Sequence, residues 1–582
     1  MIARLAALRD ALGLDLDDAA IAAVAAASAG DPMRIGAVHE ARRAADRAAR
    51  RADGVYYTPP HLVDLVIERA VGATCAERGP GVRVVDPACG AGVFLVAALR
   101  RLEAEAIARG EGTGPAVRAA LAAGLAGIDI DAHAVALARL AVAAAVVDDD
   151  PLDGVDPAAL AAAVAGIVCG DALLDDGAGG YDAVVGNPPW GQKGYRFAAD
   201  AARRLRTRYA CGGKGPLDPF ALFVERAHGL VGAGGRWGLV LPDPILLKAH
   251  EAVRGVILGG SAIEWIADAG RAFRGVGLDV IVMVGRRAAP PPAGHRVQIW
   301  HRVPLAWRDE PPPARSVAQA MFERLPGRRF NLHLDEADAA RLAALASLPR
   351  FGDDFAIHEG VHSGNRRAAL FRAEPPATGA PLVLGKDELR PFRLAWAGRW
   401  VDLDPEAIDR AGGGYANLGR PEWFVAGKLV VRRTGDRIVA ARDRTGLYVS
   451  NNAFVALPRP ALDDDEIDAW LALLNSAFAT WWFRAQVPRT GRAFAELKIR
   501  ELVALPRPPE AAWRAAVPTL AALARAAEAH ARGGEGQGTP AERGEGEGRV
   551  EERSRTGPRG STPPERAGID IDGAVAAAFA AG

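Results

Sequence analysis

Val84-Val85-Asp86-Pro87-Ala88-Cys89-Gly90-Ala91-Gly92-Val93-Phe94-Leu95 passes from a short apolar strand to an acidic residue, then a glycine turn, then the start of a helix. Small residues in such a turn let the backbone approach a ligand closely. A dinucleotide-binding loop would read G-x-G-x-x-G and sit on a pyrophosphate. Here the third glycine is missing and Asp86-Pro87 precedes the turn. A negative charge at that place suits a cationic ligand better than a phosphate. The sulfonium and ammonium groups of S-adenosylmethionine meet that requirement. Taken alone, the loop is also compatible with a generic nucleotide-binding or structural turn.

Strand and helix patterns alternate on both sides of this loop, from about 55 to 290. Strands are predicted at 82–85, 123–130, 166–169, 183–186, 237–241 and 280–285, with helices at 93–108 and from about 131 through 147. Strands separated by helices imply parallel pairing and a doubly wound α/β sheet. Before it, Leu5, Leu8, Leu12 and Leu14 lie near helical spacing, and an Arg/Ala-rich stretch ends at Arg51. Residues 1–54 therefore read as a helical extension; a basic arm that touches nucleic acid is the lesser alternative. Prolines at 290–292 and 311–313 mark 291–350 as a connecting segment. Short strand-like runs with several Trp make 351–531 a mixed α+β domain. The stretch 532–565 is Gly/Glu/Arg-rich and nearly devoid of apolar residues, so it is expected to be a disordered linker. A last apolar helix within 566–582 is expected to dock back onto the body.

Composition narrows the class. The 582 residues carry 71 Lys+Arg against 71 Asp+Glu, and half are hydrophobic. Zero net charge argues against a protein that coats nucleic acid without preference, although a local basic face is compatible with it. The four cysteines, Cys75, Cys89, Cys169 and Cys211, have no metal-binding or disulfide spacing, so no metal site is expected. No apolar run is long enough to span a membrane and the start lacks a signal-peptide pattern. A cytoplasmic location without membrane contact is the expectation.

Three further motifs follow in order. In Gly127-Ile128-Asp129-Ile130-Asp131, Asp129 ends a strand where an acidic side chain can accept from ribose hydroxyls, while Asp131 suits a helix cap. In Cys169-Gly170-Asp171-Ala172-Leu173, Asp171 again follows a strand, placed either to contact a cofactor adenine or to cap a turn. Then comes Tyr181-Asp182-Ala183-Val184-Val185-Gly186-Asn187-Pro188-Pro189-Trp190. Adenine N6 is a poor nucleophile because its lone pair is delocalised into the ring. Two acceptors on its hydrogens, the Asn187 side-chain oxygen and the Pro188 carbonyl, can draw the nitrogen toward a tetrahedral form. Pro188-Pro189 holds that carbonyl rigidly, and Trp190 offers a face for a base.

The four stretches resemble the amino-methyltransferases, and their order resembles the gamma class of N6-adenine DNA methyltransferases of restriction-modification systems. The resemblance covers roughly 55–510 and the last helix. It implies a Rossmann-like, S-adenosylmethionine-dependent catalytic domain at 55–290 followed by a target-recognition domain at 351–531. It implies Asn187, Pro188, Pro189 and Trp190 as the catalytic motif. Thr58, Asp86, Pro87, Ala88, Gly90, Gly92, Phe94, Asp129, Asp171 and Asn187 are the implied cofactor-binding positions. Thr58 comes from Tyr57-Thr58-Pro59-Pro60-His61-Leu62-Val63, which looks like the family's upstream cofactor motif. Phe273-Arg274-Gly275-Val276 resembles the segment supplying a second aromatic, so that Phe273 and Trp190 hold a flipped adenine between them.

The implied activity is methyl transfer from S-adenosylmethionine to adenine N6 in a specific double-stranded DNA sequence. Residues 1–54 are too short for a nuclease domain, so modification without cleavage is expected, with a separate restriction endonuclease or phage-defence component as candidate partner. Late basic residues, among them Lys386, Arg390, Lys428, Arg432, Arg433, Arg437, Arg442, Arg444, Arg489, Arg492, Lys498 and Arg500, offer phosphate or guanine contacts as a set. Singly, each suits an ordinary solvated charge better. Two rivals stay open: an RNA or protein amino-methyltransferase, and a catalytically inactive DNA-recognition component.

Overall fold

A computed structural model describes residues 1–28, 31–35, 58–148, 150, 155–177, 179–191, 197–213, 215, 217–247, 250–273, 278–309, 311–404, 413–486, 495–533 and 569–581. Arg51, Tyr57, Arg274 to Val276, Arg489, Arg492 and nearly all of the 532–565 stretch lie outside the described residues. No helix among the described residues is long and apolar enough to cross a membrane. The chain divides into two compact units, Met1–Ala339 and Ala340–Gly582.

The first unit is built on a nine-stranded sheet. Its strands are β1 (Val84–Asp86), β2 (Leu125–Asp129), β3 (Ile167–Cys169), β4 (Tyr181–Gly186), β5 (Val231–Pro242), β6 (Ser261–Gly270), β7 (Val280–Arg287), β8 (Arg296–Trp300) and β9 (Arg315–Ala318). They lie in the order β3-β2-β1-β4-β5-β7-β6-β8-β9. The first five pair in parallel, as strand–helix alternation requires. β7 breaks the pattern: it lies between β5 and β6 and runs antiparallel to both. Only residues 271–279 join β6 to β7, too few for the crossover that parallel pairing needs. β6 is absent from the predicted strands. So are β8, which pairs parallel to β6, and β9, which pairs antiparallel to β8. Part of the expected connecting segment is therefore sheet.

Helix Val93–Ala108 has the predicted bounds and buries Leu95, Val96, Leu99 and Leu102. Helix Ala132–Val147 is Ala-rich and buried on nearly every side, including Leu137, Leu140, Val142 and Val146. Asp131 caps it by accepting from the N–H groups of His133 and Ala134. The reversal of strand order falls between β1 and β4, which puts a crevice at their carboxyl ends.

In the second unit, Phe355–Glu359, Ala453–Pro458, Leu429–Arg432 and Ala440–Arg442 form a four-stranded antiparallel sheet. A smaller mixed sheet contains Gly379–Val383 and Trp400–Asp402. Val361, Leu382, Val401, Val430, Val439 and Val455 share one core. The last helix, Ile571–Ala580, docks as expected: Phe579 meets Phe478 at 4.2 Å between centroids, and Asp572 accepts from the Ala477 N–H. Two of the basic residues expected at a DNA surface belong to the interior instead. Lys428 is fully buried on Asp443, and Arg442 is buried against Asp464 and Asp468. Burying a cation is tolerable only with such a partner.

A buried polar chain ties the first unit together. The Trp237 indole donates to Ser261 Oγ (2.8 Å), Ser261 donates to His228 Nε2 (2.8 Å), and His228 Nδ1 donates to the Val224 carbonyl (2.9 Å). Burial pushes His228 down to about 4 from an ordinary 6.5. The unfolded chain thus binds a proton that the folded chain refuses between those values, and stability falls as pH drops through this window. The loss is expected to reach about 2–3 kcal/mol at the acid end. Urea melts of wild type and H228Q at pH 7 and pH 4.5 check this: the variant should lose markedly less stability on acidification, and equal losses would refute it.

Candidate active site

β1 and β4 are neighbours, so the residues that end them face each other. Asp86 ends β1 and is 1% exposed. Its Oδ1 accepts from the Ala88 N–H at 3.0 Å. The same oxygen would lie 2.6 Å from a Cβ placed on Gly186, whose φ is 154°. Only glycine fits there. Asp86 Oδ2 is buried and has no hydrogen-bond partner among the described residues. Burial pushes this carboxyl up to about 8, and the charge of Asp129 adds to the rise. Such a group is poised for a cationic or donating ligand.

The glycine turn shapes the adjacent space. At Gly92 (φ 84°) a Cβ would sit 3.1 Å from the Ala138 backbone, so the turn packs directly on helix Ala132–Val147. At Gly90 (φ 52°) a Cβ would meet no atom of the described residues within 4 Å. One glycine is needed for close packing, and the other faces open space. The Gly90 N–H donates to Asp129 Oδ2 (2.8 Å), and the Asp131 N–H donates to Asp129 Oδ1 (2.9 Å). Asp129 thus clamps the turn, with lone pairs left over for further donors. Asp171 Oδ1 accepts from the Leu173 N–H at 3.0 Å. Pro87 and Phe94 are buried, and Ala88 packs against the cluster of Ala172, Leu173 and Leu222. What the turn presents to a ligand is therefore the Asp86 carboxyl and the backbone near Gly90. Ile130, unassigned by the motif reading, is 75% exposed between Asp129 and Asp131, an apolar surface beside two acids.

Asn187 follows β4 directly. Its Nδ2 donates to Thr58 Oγ1 at 3.1 Å. Its Oδ1 is buried without a hydrogen-bond partner among the described residues. Trp190 is 2% exposed and meets Phe273 edge to face, with centroids 5.0 Å apart and planes at 80°. The two predicted base-holding aromatics are thus together, but in mutual contact; a base lying between them requires the rings to separate. Asp218, also outside the motif reading, leans on the same loop: a Cβ on Gly191 would be 2.6 Å from its Oδ1. Burial raises the Asp218 carboxyl to about 6.

Residues 40–299 match the family described as N-6 DNA Methylase, and residues 380–506 match the TaqI-like C-terminal specificity domain. Residues 40–299 are thus similar to the N-6 DNA methylases. It is similar to Type II methyltransferase M.TthHB8I of Thermus thermophilus, 23% identical over 72% of this chain and 83% of that protein. It is also similar to the adenine-specific methyltransferase PglX of Streptomyces coelicolor, 26% identical over 41% of this chain but only 24% of that protein. In fold it resembles the Type IIL restriction-modification enzyme MmeI, solved in complex with DNA, with a TM-score of 0.54, 15% identity, and coverage of 86% of this chain and 74% of that one. The methylase is an N6-adenine DNA methyltransferase of an S-adenosylmethionine-dependent family, followed by a specificity domain.

The site fits such a cofactor. The partnerless Asp86 oxygen matches a bound cation, and the space in front of Gly90 is one that a side chain would fill. At pH 7 a carboxyl with a value of about 8 is mostly protonated. A cation bound beside it favours the charged form and expels the proton. S-adenosylmethionine binding measured by calorimetry at pH 7, in buffers of different ionisation heat, should release up to about one proton more in wild type than in D86N. Equal proton counts would exclude Asp86 as the cation's partner.

Proposed function

We propose that this chain transfers a methyl group from S-adenosylmethionine to the exocyclic N6 of adenine within one specific sequence of double-stranded DNA. The observation that carries this reading is the Asn187 oxygen, buried and unsatisfied, at the carboxyl edge beside the Asp86 carboxyl. A buried acceptor without a partner is costly unless a ligand completes it. An amino group with two hydrogens does so.

Asp86, Gly90, Asp129 and Asp171, with Pro87, Ala88, Gly92 and Phe94 around them, form the binding region for the cofactor. When bound, S-adenosylmethionine supplies an electrophilic methyl group. The rest of the chemistry belongs to the chain. Asn187 Oδ1 and the Pro188 carbonyl accept the two N6 hydrogens, localise the nitrogen lone pair and aim it. Pro189 restricts the loop that carries them. Once methylated, the nitrogen is strongly acidic and yields its proton through the same acceptors to water, so no strong base is needed. Trp190 and Phe273 part to receive the flipped base, which leaves the duplex because N6 is otherwise paired.

The specificity domain supports DNA over RNA or protein as substrate, because it is the part of such a protein that selects a sequence. The intact Asp86, Gly92 and Asn187 support an active enzyme over a recognition component. A cytoplasmic, adenine-specific modification enzyme that works beside a separate endonuclease or defence component completes the reading.

Long-read sequencing of DNA from a methylation-free host expressing the gene is expected to show N6-methyladenine at a single motif. N187A should lower transfer about a hundredfold or more while cofactor affinity stays nearly unchanged. Near-normal methylation by that variant would refute the assignment. Methyl incorporation into RNA or protein instead of DNA would favour the rival substrate classes.

A further inference from the structure

Asn187 can act only in one of two orientations of its amide. The two have the same shape and opposite hydrogen-bonding character. With Oδ1 toward the substrate, the side chain accepts from an amino group. With Nδ2 there, a donor faces a donor and the amine is repelled rather than activated. The proline-rich loop fixes where the amide lies but does not distinguish its ends.

Thr58 meets the nitrogen end. It is 4% exposed, and its Oγ1 accepts from Asn187 Nδ2 at 3.1 Å, across 129 residues of sequence. Its position is set independently of the catalytic loop. Thr58 and Pro59 lead directly into helix Pro60–Val66, which continues through Ile67–Gly72 to Arg78. That helix is pinned near its start, where the Trp307 indole donates to the His61 carbonyl at 3.1 Å. It is pinned again further along, where the Arg69 guanidinium lies 4.1 Å from the Trp265 ring centroid and 5.0 Å from that of Trp300. Trp265 and Trp300 belong to β6 and β8. The sheet strands absent from the sequence pattern thus hold the helix that presents Thr58.

We infer that Thr58 is a positioning residue for methyl transfer: its hydroxyl holds the Asn187 amide nitrogen and so turns the amide oxygen toward the substrate amine. This rests on the reading of Asn187 given above, and it differs from the cofactor-binding role that the upstream motif implies for Thr58. Thr58 touches neither substrate nor cofactor in this role. It acts through Asn187.

The test uses the full-length enzyme and three variants. T58V keeps the shape and removes the acceptor, T58S keeps the hydroxyl, and N187A is the reference for complete loss. Methyl transfer to DNA is measured at saturating S-adenosylmethionine, and cofactor affinity is measured separately by calorimetric titration. T58V is expected to lower kcat by about tenfold to a hundredfold, with cofactor Kd within about threefold of wild type. T58S is expected to recover most of the rate. A T58V enzyme with normal kcat overturns the inference. So does one whose kcat is normal and whose cofactor affinity is lost, which would return Thr58 to cofactor binding. T58S as slow as T58V also overturns it, because the hydroxyl would not be the operative group. A wild type that methylates no adenine in DNA overturns the functional reading and this inference with it; a dead N187A beside a fully active T58V overturns the inference alone.

Discussion

The carboxyl group of Asp86 presses against the backbone of Gly186. This contact exists because β1 and β4 are adjacent parallel strands, and it joins two halves of the chemistry that are far apart in the chain. One strand ends in the carboxyl that would meet a cation. The next ends in the glycine that immediately precedes Asn187. No side chain can intervene between them. The spacing between the Asp86 carboxyl and the residue that follows Gly186 is therefore set by strand pairing rather than by loop conformation. A site built on strand ends is held more closely than one built on loops alone.

The same crevice concentrates unsatisfied groups. Asp86 Oδ2 and Asn187 Oδ1 are both buried without hydrogen-bond partners among the described residues. Folding tolerates few such atoms, and these two sit within one short stretch of sheet edge. Asp129 shows the opposite treatment: both its oxygens receive backbone N–H groups, so its role begins with holding the turn shut. Trp190 and Phe273 close on each other edge to face. Each ring thus covers part of the other's aromatic surface.

Much of the framework is local and so legible in sequence. Helix Val93–Ala108 has the bounds its pattern predicts, and β1, β2, β3, β4, β5 and β7 all overlap the apolar runs that mark them. The edge beyond β5 is different. β6 carries Glu264 and Asp268 among its apolar residues, and β8 and β9 are short and bounded by prolines. Their strand character depends on neighbours recruited from elsewhere in the chain. The reversed direction of β7 follows from a connection too short to cross over, a constraint that becomes visible only once β6 is known to be a strand.

Residue types and their order were enough to point to the methyltransferase class and to propose Asp86 and Asn187 for its site, because the chemistry of activating a planar amine calls for particular groups at particular strand ends. Partnership was not. The pairing of Thr58 with Asn187, the closure of Trp190 on Phe273, and the burial of Lys428 and Arg442 in ion pairs all join residues distant in sequence. A charge or hydroxyl reads the same in sequence whether it faces solvent, a substrate or another side chain. Its environment is created only when the chain packs, and it is the environment that turns a residue type into a role.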